Sequence, residues 1–171
     1  MRDIMICANI AGAGKDTVAD YLVLKYEYTK ISFAQPIYEI AKEFFSMEKK
    51  DRELLQNIGQ KMREIDPDVW VNNGYKRARE INTPVVITDV RQINEFHRGI
   101  EEDFMPVRIV CDRNIAIRRI IERDGVCDES KLDGPAEDGT RDLLVPQIYN
   151  NTTYENLYSQ IDGFIKNIKY K

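Results

Sequence analysis

At 171 residues the chain has the length of one domain with a substantial core, and its 43% hydrophobic content contains no apolar run near the length that a membrane-spanning helix requires. A net charge of −4 argues against a protein that coats nucleic acid with a basic surface, and direct nucleic-acid binding is not expected. Cys7, Cys111 and Cys127 form no metal-ligand spacing, and an odd number of cysteines suits a reducing compartment. The opening MRDIMICANI lacks a signal peptide's layout, because its apolar segment is short and Gly-Ala-Gly-Lys follows instead of a cleavage site. A cytoplasmic protein is expected.

Residues 4–9 read as a buried strand, and Val18, Tyr21, Leu22 and the stem of Lys25 follow at helical spacing. Between them lie Asn9, Gly12, Gly14, Lys15, Asp16 and Thr17. A strand, a small-residue loop and a helix N-terminus in that order build an anion site, since glycines let successive backbone N–H groups point inward. Lys15 would reach the β- and γ-phosphates. The standard spacing G-x-x-x-x-G-K-[ST] is broken twice. Asn9 replaces the first glycine, a mild change because Asn is among the few non-glycine residues that tolerate positive φ. Asp16 replaces the metal-binding hydroxyl, with Thr17 one position late. A plain glycine-containing strand-to-helix turn is the alternative.

Further along, Thr29–Phe33 reads as a second strand, and Pro36 opens a helix through Ile37, Ile40, Ala41, Phe44 and Phe45. Residues 51–65 repeat the helical pattern, and another helix starts near Asp68 with Gly74 weakening its middle. Val85–Asp89 is the clearest strand. Residues 92–102 are helical, Pro106–Cys111 a strand and Ile115–Glu122 a helix. Residues 124–142, with three glycines, one proline and seven acidic residues, read as a mobile connection. Leu143–Tyr149 is the last strand, confined by Pro146 to an edge or a short piece. Thr152 and Glu155 match a capping box for a C-terminal helix through Leu157, Ile161, Phe164, Ile165 and Ile168. Alternating strands and helices predict a parallel sheet covered on both faces.

Ligands of such a sheet gather at the carboxyl ends of its strands. Those ends carry Ser32, Phe33 and Ala34, then Asp89 and Arg91, then Asp112 and Arg113. An Asp after four apolar residues suits Mg²⁺, and Arg91 would grip a second phosphate. Arg108, Arg113, Arg118, Arg119, Arg123 and Arg141 fall in one window of thirty-four residues holding a single lysine, Lys131, which suggests a phosphate clamp. Arg119 and Arg123, four apart, share one helix face and would supply cations on closure; pairing with Glu122 or Asp124 is the alternative. His97, the only histidine, is expected to be an ordinary, partly exposed side chain. Trp70 and Phe33 are either core residues or base-stacking platforms.

Six stretches resemble the P-loop nucleoside-monophosphate kinase superfamily, most of all the deoxynucleoside monophosphate kinases of bacteriophages and prophages: GAGKDTVADYL at 12–22, ISFAQPIYEIA at 31–41, LLQNIGQKMREIDPDVWV at 54–71, VVITDVRQINE at 85–95, IRRIIERDG at 117–125 and YNNTTYENLYSQID at 149–162. The resemblance implies an α/β three-layer P-loop NTPase fold, with about five parallel strands, helices on both faces and a short LID. One domain would span 1–171, with the phosphate-loop strand and helix at 1–30, the acceptor-binding region at 31–75 and the LID region at 114–142. ATP would be held by Asn9, Ala11, Gly12, Ala13, Gly14, Lys15, Asp16, Thr17 and Asn151, within a loop at 150–152 that matches one touching adenine. Mg²⁺ would sit near Asp16, Thr17 and Asp89. Lys15, Arg119 and Arg123 would be catalytic. Ser32, Phe33, Gln56, Arg63, Trp70 and Arg91 would bind the acceptor, Arg63 and Arg91 at its phosphate. The expected reaction is in-line transfer from ATP to a deoxynucleoside monophosphate, whose ionised phosphate needs no strong general base. The alternatives are a kinase of another phosphorylated small molecule, of the dephospho-coenzyme A or phosphomevalonate type, or a nucleotide-binding module without catalysis. The expected partners are small-molecule nucleotides, with no membrane and with homodimer formation left open.

Overall fold

A computed structural model describes residues 1–129, 132, 140 and 142–169. Five strands, β1 (Ile4–Ala8), β2 (Thr29–Ile31), β3 (Val85–Ile87), β4 (Met105–Val110) and β5 (Gln147–Tyr149), form one parallel sheet in the order β2-β3-β1-β4-β5. β1 is central, and all five of its residues are buried, as a strand covered on both faces requires. Its alternation sorts the helices into two layers. Ile4, Ile6 and Ala8 face a core with helices α1 (Lys15–Tyr26), α6 (Arg113–Asp124) and α7 (Tyr154–Lys169). Met5 and Cys7 face a second core with α2 (Gln35–Phe45), α3 (Arg52–Ile65), α4 (Val69–Arg79) and α5 (Ile93–Glu101). The expected three-layer α/β fold is therefore present. Among the described residues, no helix is long and apolar enough to cross a membrane.

Element ends differ from the sequence expectation where side chains intercept the ladder. β2 stops at Ile31, because the Phe33 and Ala34 N–H groups turn to the Asp89 carboxylate at 2.9 and 3.0 Å. β3 accordingly ends at Ile87. β4 begins at Met105, whose N–H donates to the Asp3 carbonyl at 2.8 Å, and ends before Cys111, whose N–H donates to Asn9. β5 begins after Pro146, at the sheet edge, as a residue without N–H dictates. α6 runs two residues beyond each expected end and stops at Gly125, φ +80°. α7 starts at Tyr154, so its cap is Thr153, whose hydroxyl accepts from Asn156 N–H at 3.4 Å, one residue after the expected Thr152.

Gly74 has a use that propensity hides. A Cβ there would fall within 3.0 Å of the Phe33 ring, so α4 needs glycine to pack against β2's exit. Gly74→Ala, ordinarily worth up to ~1 kcal/mol of helix stability, is expected instead to cost roughly 1–3 kcal/mol through overpacking, read as a lowered urea midpoint.

The segment after α6 was expected to be a mobile connection. Of it, Leu132 and Thr140 are buried, and the buried Arg108 donates to the carbonyls of Thr140 and of Leu143, the latter at 3.0 Å. Arg108 therefore ties Thr140 and Leu143 to β4 and is corrected from the proposed phosphate clamp. Within the expected LID region at 114–142, residues 130, 131, 133–139 and 141, which include Lys131 and Arg141, lie outside the described residues.

Candidate active site

The loop between β1 and α1 turns on Gly12 (φ +81°) and Gly14 (φ +95°), conformations in which a side chain is strained. Gly14 hands directly into Lys15, the first residue of α1, so the helix N-terminus opens onto the loop. Asn9, by contrast, has no positive φ, and the expectation built on that tolerance is corrected. Its amide grips the Cys111 backbone instead, Nδ2 donating to the carbonyl and Oδ1 accepting the N–H, both at 3.0 Å. A glycine there would keep the backbone bond to the Ile109 carbonyl at 3.2 Å but lose both side-chain bonds to Cys111.

Asp16 is exposed at α1's first turn, and its carboxylate meets Lys30 Nζ at 2.7 Å; Lys30 also bonds Asp20 at 3.0 Å. The lysine offsets the carboxylate that stands where a hydroxyl is usual, and it directs Asp16 toward β2. Thr17 Oγ1 lies by the loop, 3.9 Å from where a Gly14 Cβ would be.

α6 packs directly on the loop, for a Cβ on Gly12 would sit 3.0 Å from the Ala116 carbonyl and from Ile120. That contact brings the arginine helix to the phosphate loop. Arg119 donates to Asn150 Oδ1 at 3.1 Å and to Cys111 Sγ at 3.3 Å, and Asn150 Nδ2 donates to the Ala13 carbonyl at 2.8 Å. Arg123 pairs bidentately with Asp124, both contacts 2.8 Å, which is the alternative partner the sequence offered. Arg113 pairs with Glu129 at 3.4 Å. Asn151 exchanges two 2.8 Å bonds with Asp112, Oδ1 accepting its N–H and Nδ2 donating to its carboxylate. The loop after β5 is thereby locked to the end of β4.

On the other side of β1 from β4 lies β3, and the turn after it carries Asp89. Burial pushes the Asp89 carboxyl up, opposed by its two backbone donors and by the charges of Arg91 and Lys15. Burial likewise pushes Glu95 up to about 7, against N–H donors from Gln92 and Arg91 at 2.9 and 2.7 Å; Asp89 raises it further and Arg63 lowers it. The charges of Lys15 and Arg91 thus bear on Asp89 and that of Arg63 on Glu95, though the three are drawn from separate segments. Arg52 of α3 reaches Asp124 of α6 at 3.7 Å, bridging the two sides. Glu95 was not singled out from the sequence, although Gln92 and Glu95 have capping-box spacing and form that box.

Among the acceptor candidates, Gln56 is exposed on α3, and Ser32 lies in the turn before α2, its hydroxyl accepting from Gln35 N–H at 3.1 Å. Trp70 and Phe33 are core residues, 3% and 4% exposed. Trp70 Nε1–H donates to the Gly59 carbonyl at 3.1 Å, joining α4 to α3, and Phe33 lies edge-on to Tyr75 with ring centroids 5.5 Å apart. Both expected stacking platforms are therefore packed beneath the site. Their aromatic surface is already covered by helices. His97 is exposed, and Cys7 and Cys111 are buried thiols.

A parallel sheet in this strand order, with a glycine loop leading from the central strand into a helix, defines a P-loop nucleoside triphosphatase fold. The chain belongs to the AAA domain family, whose model matches residues 4–140. In structure it is similar to TT1252 from Thermus thermophilus, at 17% identity over 98% of both chains with a TM-score of 0.62. It is also similar to a sugar kinase from a Janibacter species, at 13% identity over 97% of this chain and 95% of that one, TM-score 0.59. A gluconokinase from Sinorhizobium meliloti matches at 13% identity over 99% and 96%, TM-score 0.56. Similarity at such identities establishes the fold. A comparison with curated proteins returns no match.

Proposed function

We propose that the protein is an ATP-dependent kinase that phosphorylates a deoxynucleoside monophosphate to the diphosphate. The observation that carries the reading is a glycine turn opening onto Lys15 at the head of α1, with the arginine helix α6 packed on it and Arg119 tied to it through Asn150, while the charges of Arg91 and Arg63 bear on Asp89 and Glu95. Such guanidinium groups suit an acceptor that is itself a phosphate, because their planar forks bind its oxygens in pairs.

In this reading Gly12, Gly14 and the head of α1 hold the triphosphate, and Lys15 stabilises charge growing on the transferred group. Arg119 approaches from α6. Arg123 exchanges Asp124 for phosphate oxygens, a trade between two exposed anionic partners that costs little. The acceptor oxygen is already ionised, so positioning and water exclusion suffice. Magnesium usually keeps water and phosphate ligands and takes only one or two from protein, a demand that the Thr17 hydroxyl and the Asp89 carboxylate fit. Asp16, engaged by Lys30, fits less well. Bound there, the ion would neutralise phosphate charge.

A coupled ADP-release assay with ATP and Mg²⁺ tests the reading against thymidylate, deoxyuridylate, its hydroxymethyl form and deoxyguanylate, with dephospho-coenzyme A, phosphomevalonate and gluconate alongside. Turnover of one deoxynucleotide well above the rest is the expected result. The similarity to a gluconokinase and a sugar kinase favours a second reading, phosphorylation of a sugar hydroxyl, and turnover of gluconate alone would establish that instead. ATP binding with silence across the panel would point to a module without catalysis.

A further inference from the structure

Asn150 is buried where three segments meet, and every polar group of its side chain is engaged. Its backbone N–H donates to the Val110 carbonyl at 2.8 Å, which sets it at the exit of β4. Its Nδ2 donates to Ala13 O at 2.8 Å, and its Oδ1 accepts from Arg119 Nη2 at 3.1 Å. The orientation of this amide follows from chemistry, because a guanidinium only donates and a carbonyl only accepts. One flip would break both bonds.

The two bonds act on two different anion-binding groups. A peptide unit is planar and trans, so its C=O and N–H point in opposite directions. Holding the Ala13 carbonyl against Asn150 therefore aims the Gly14 N–H away from it. Gly12 and Gly14 both have positive φ, the backbone arrangement that gathers N–H groups into an anion-binding concavity. The seat is tight, for a Cβ on Gly14 would overlap Asn150 Nδ2. At the other end, Oδ1 and the Cys111 sulfur fix the Arg119 fork at two nitrogens. Leaving either amide end unpaired in a buried position costs the full desolvation of that group, so the pair of contacts holds together.

We propose that Asn150 is a positioning residue that sets the Ala13–Gly14 peptide and the Arg119 guanidinium through one buried amide, so that phosphate loop and arginine helix receive a triphosphate as a unit. The inference rests on the nucleotide-binding reading above and adds to it the residue that couples the two sides. Asn150 does this without touching the ligand.

The test measures MgATP affinity by calorimetry on the full chain, together with melting temperature, for wild type, Asn150→Ala, Arg119→Ala and the double variant. Asn150→Ala is expected to weaken MgATP about tenfold, and Arg119→Ala to cost several-fold less in that background than in wild type. Asn150→Asp is the near-isosteric check should the alanine variant fail to fold. It keeps an acceptor for Arg119 but sets a second oxygen against Ala13 O, so it too is expected to weaken MgATP. A merely structural Asn150 would lower the melting temperature, leave affinity within twofold of wild type and give independent effects for the two substitutions. That result overturns the proposal. If wild type itself fails to bind MgATP, the nucleotide reading falls and this inference with it; if wild type binds and Asn150→Asp binds equally, this inference alone falls.

Discussion

Lys15→Ala is expected to lower kcat/KM by about 10³-fold while leaving the fold intact, as removal of a preorganised cation from a charge-developing site generally does. Lys15 opens α1 directly after Gly14, and its charge is felt at the Asp89 carboxyl across the site. The loss is not a stability effect. A cation at a helix N-terminus opposes the helix dipole, so its removal is neutral or stabilising by roughly 0.3–1 kcal/mol. Steady-state kinetics paired with a melting curve separate the two. Lys15→Arg is also expected to fail, since a bulkier planar group cannot substitute for a compact point charge in the confined loop. Turnover of every phosphorylated acceptor unchanged in Lys15→Ala would rule out the proposed mechanism.

The second large effect is a dependence of stability on pH governed by Glu95. Its carboxyl is pushed from an ordinary 4.5 up to about 7, chiefly by burial, with Asp89 adding to the shift. Between those values the unfolded chain has released the proton and the folded chain retains it. Stability therefore falls as pH rises through that window, by about 3 kcal/mol from this group, and levels off above it. Asp89, also raised, adds in the same sense. The lowered carboxyls of Glu102, Asp124 and Asp162 act with the opposite sign, their stabilisation being lost as pH falls, and they are exposed enough for solvent to weaken the effect. Glu95→Gln keeps an oxygen for the Arg91 and Gln92 N–H groups and removes the titration. Its urea midpoint is expected to fall less than that of wild type from pH 5 to 8, so that the variant becomes relatively more stable at the alkaline end. Parallel profiles for the two proteins would show that Glu95 does not control the slope.

The glycine loop, the clearest strand and the helices were legible in the sequence because their causes are local. Gly12 and Gly14 turn the loop through their own φ angles, Pro36 sits in the first turn of α2, and Pro146 limits β5 to a short edge. Apolar spacing likewise distinguished the strand at 85 from the helix through Leu157 and Ile161. Strand ends were less legible, because they depend on which distant group takes the next N–H. Asp89 captures those of Phe33 and Ala34 from more than fifty residues away.

The roles of the polar side chains belong to the tertiary structure for the same reason. Asn9 finds Cys111 across 102 positions, and Asn150 finds Ala13 across 137. Nothing in the neighbourhood of either asparagine names its partner. An arginine in a basic window and an arginine beneath a strap also read alike, yet Arg108 is buried against two carbonyls while Arg119 lies at the phosphate loop. The sequence by itself determined the phosphate loop, the α/β alternation and the residue types available for phosphate chemistry, since these follow from short-range backbone sterics and periodicity. Only the tertiary structure decided which carboxylates are buried, which arginines reach the site and which aromatics lie beneath it, because burial and hydrogen-bond partners are set by the meeting of segments far apart in the chain.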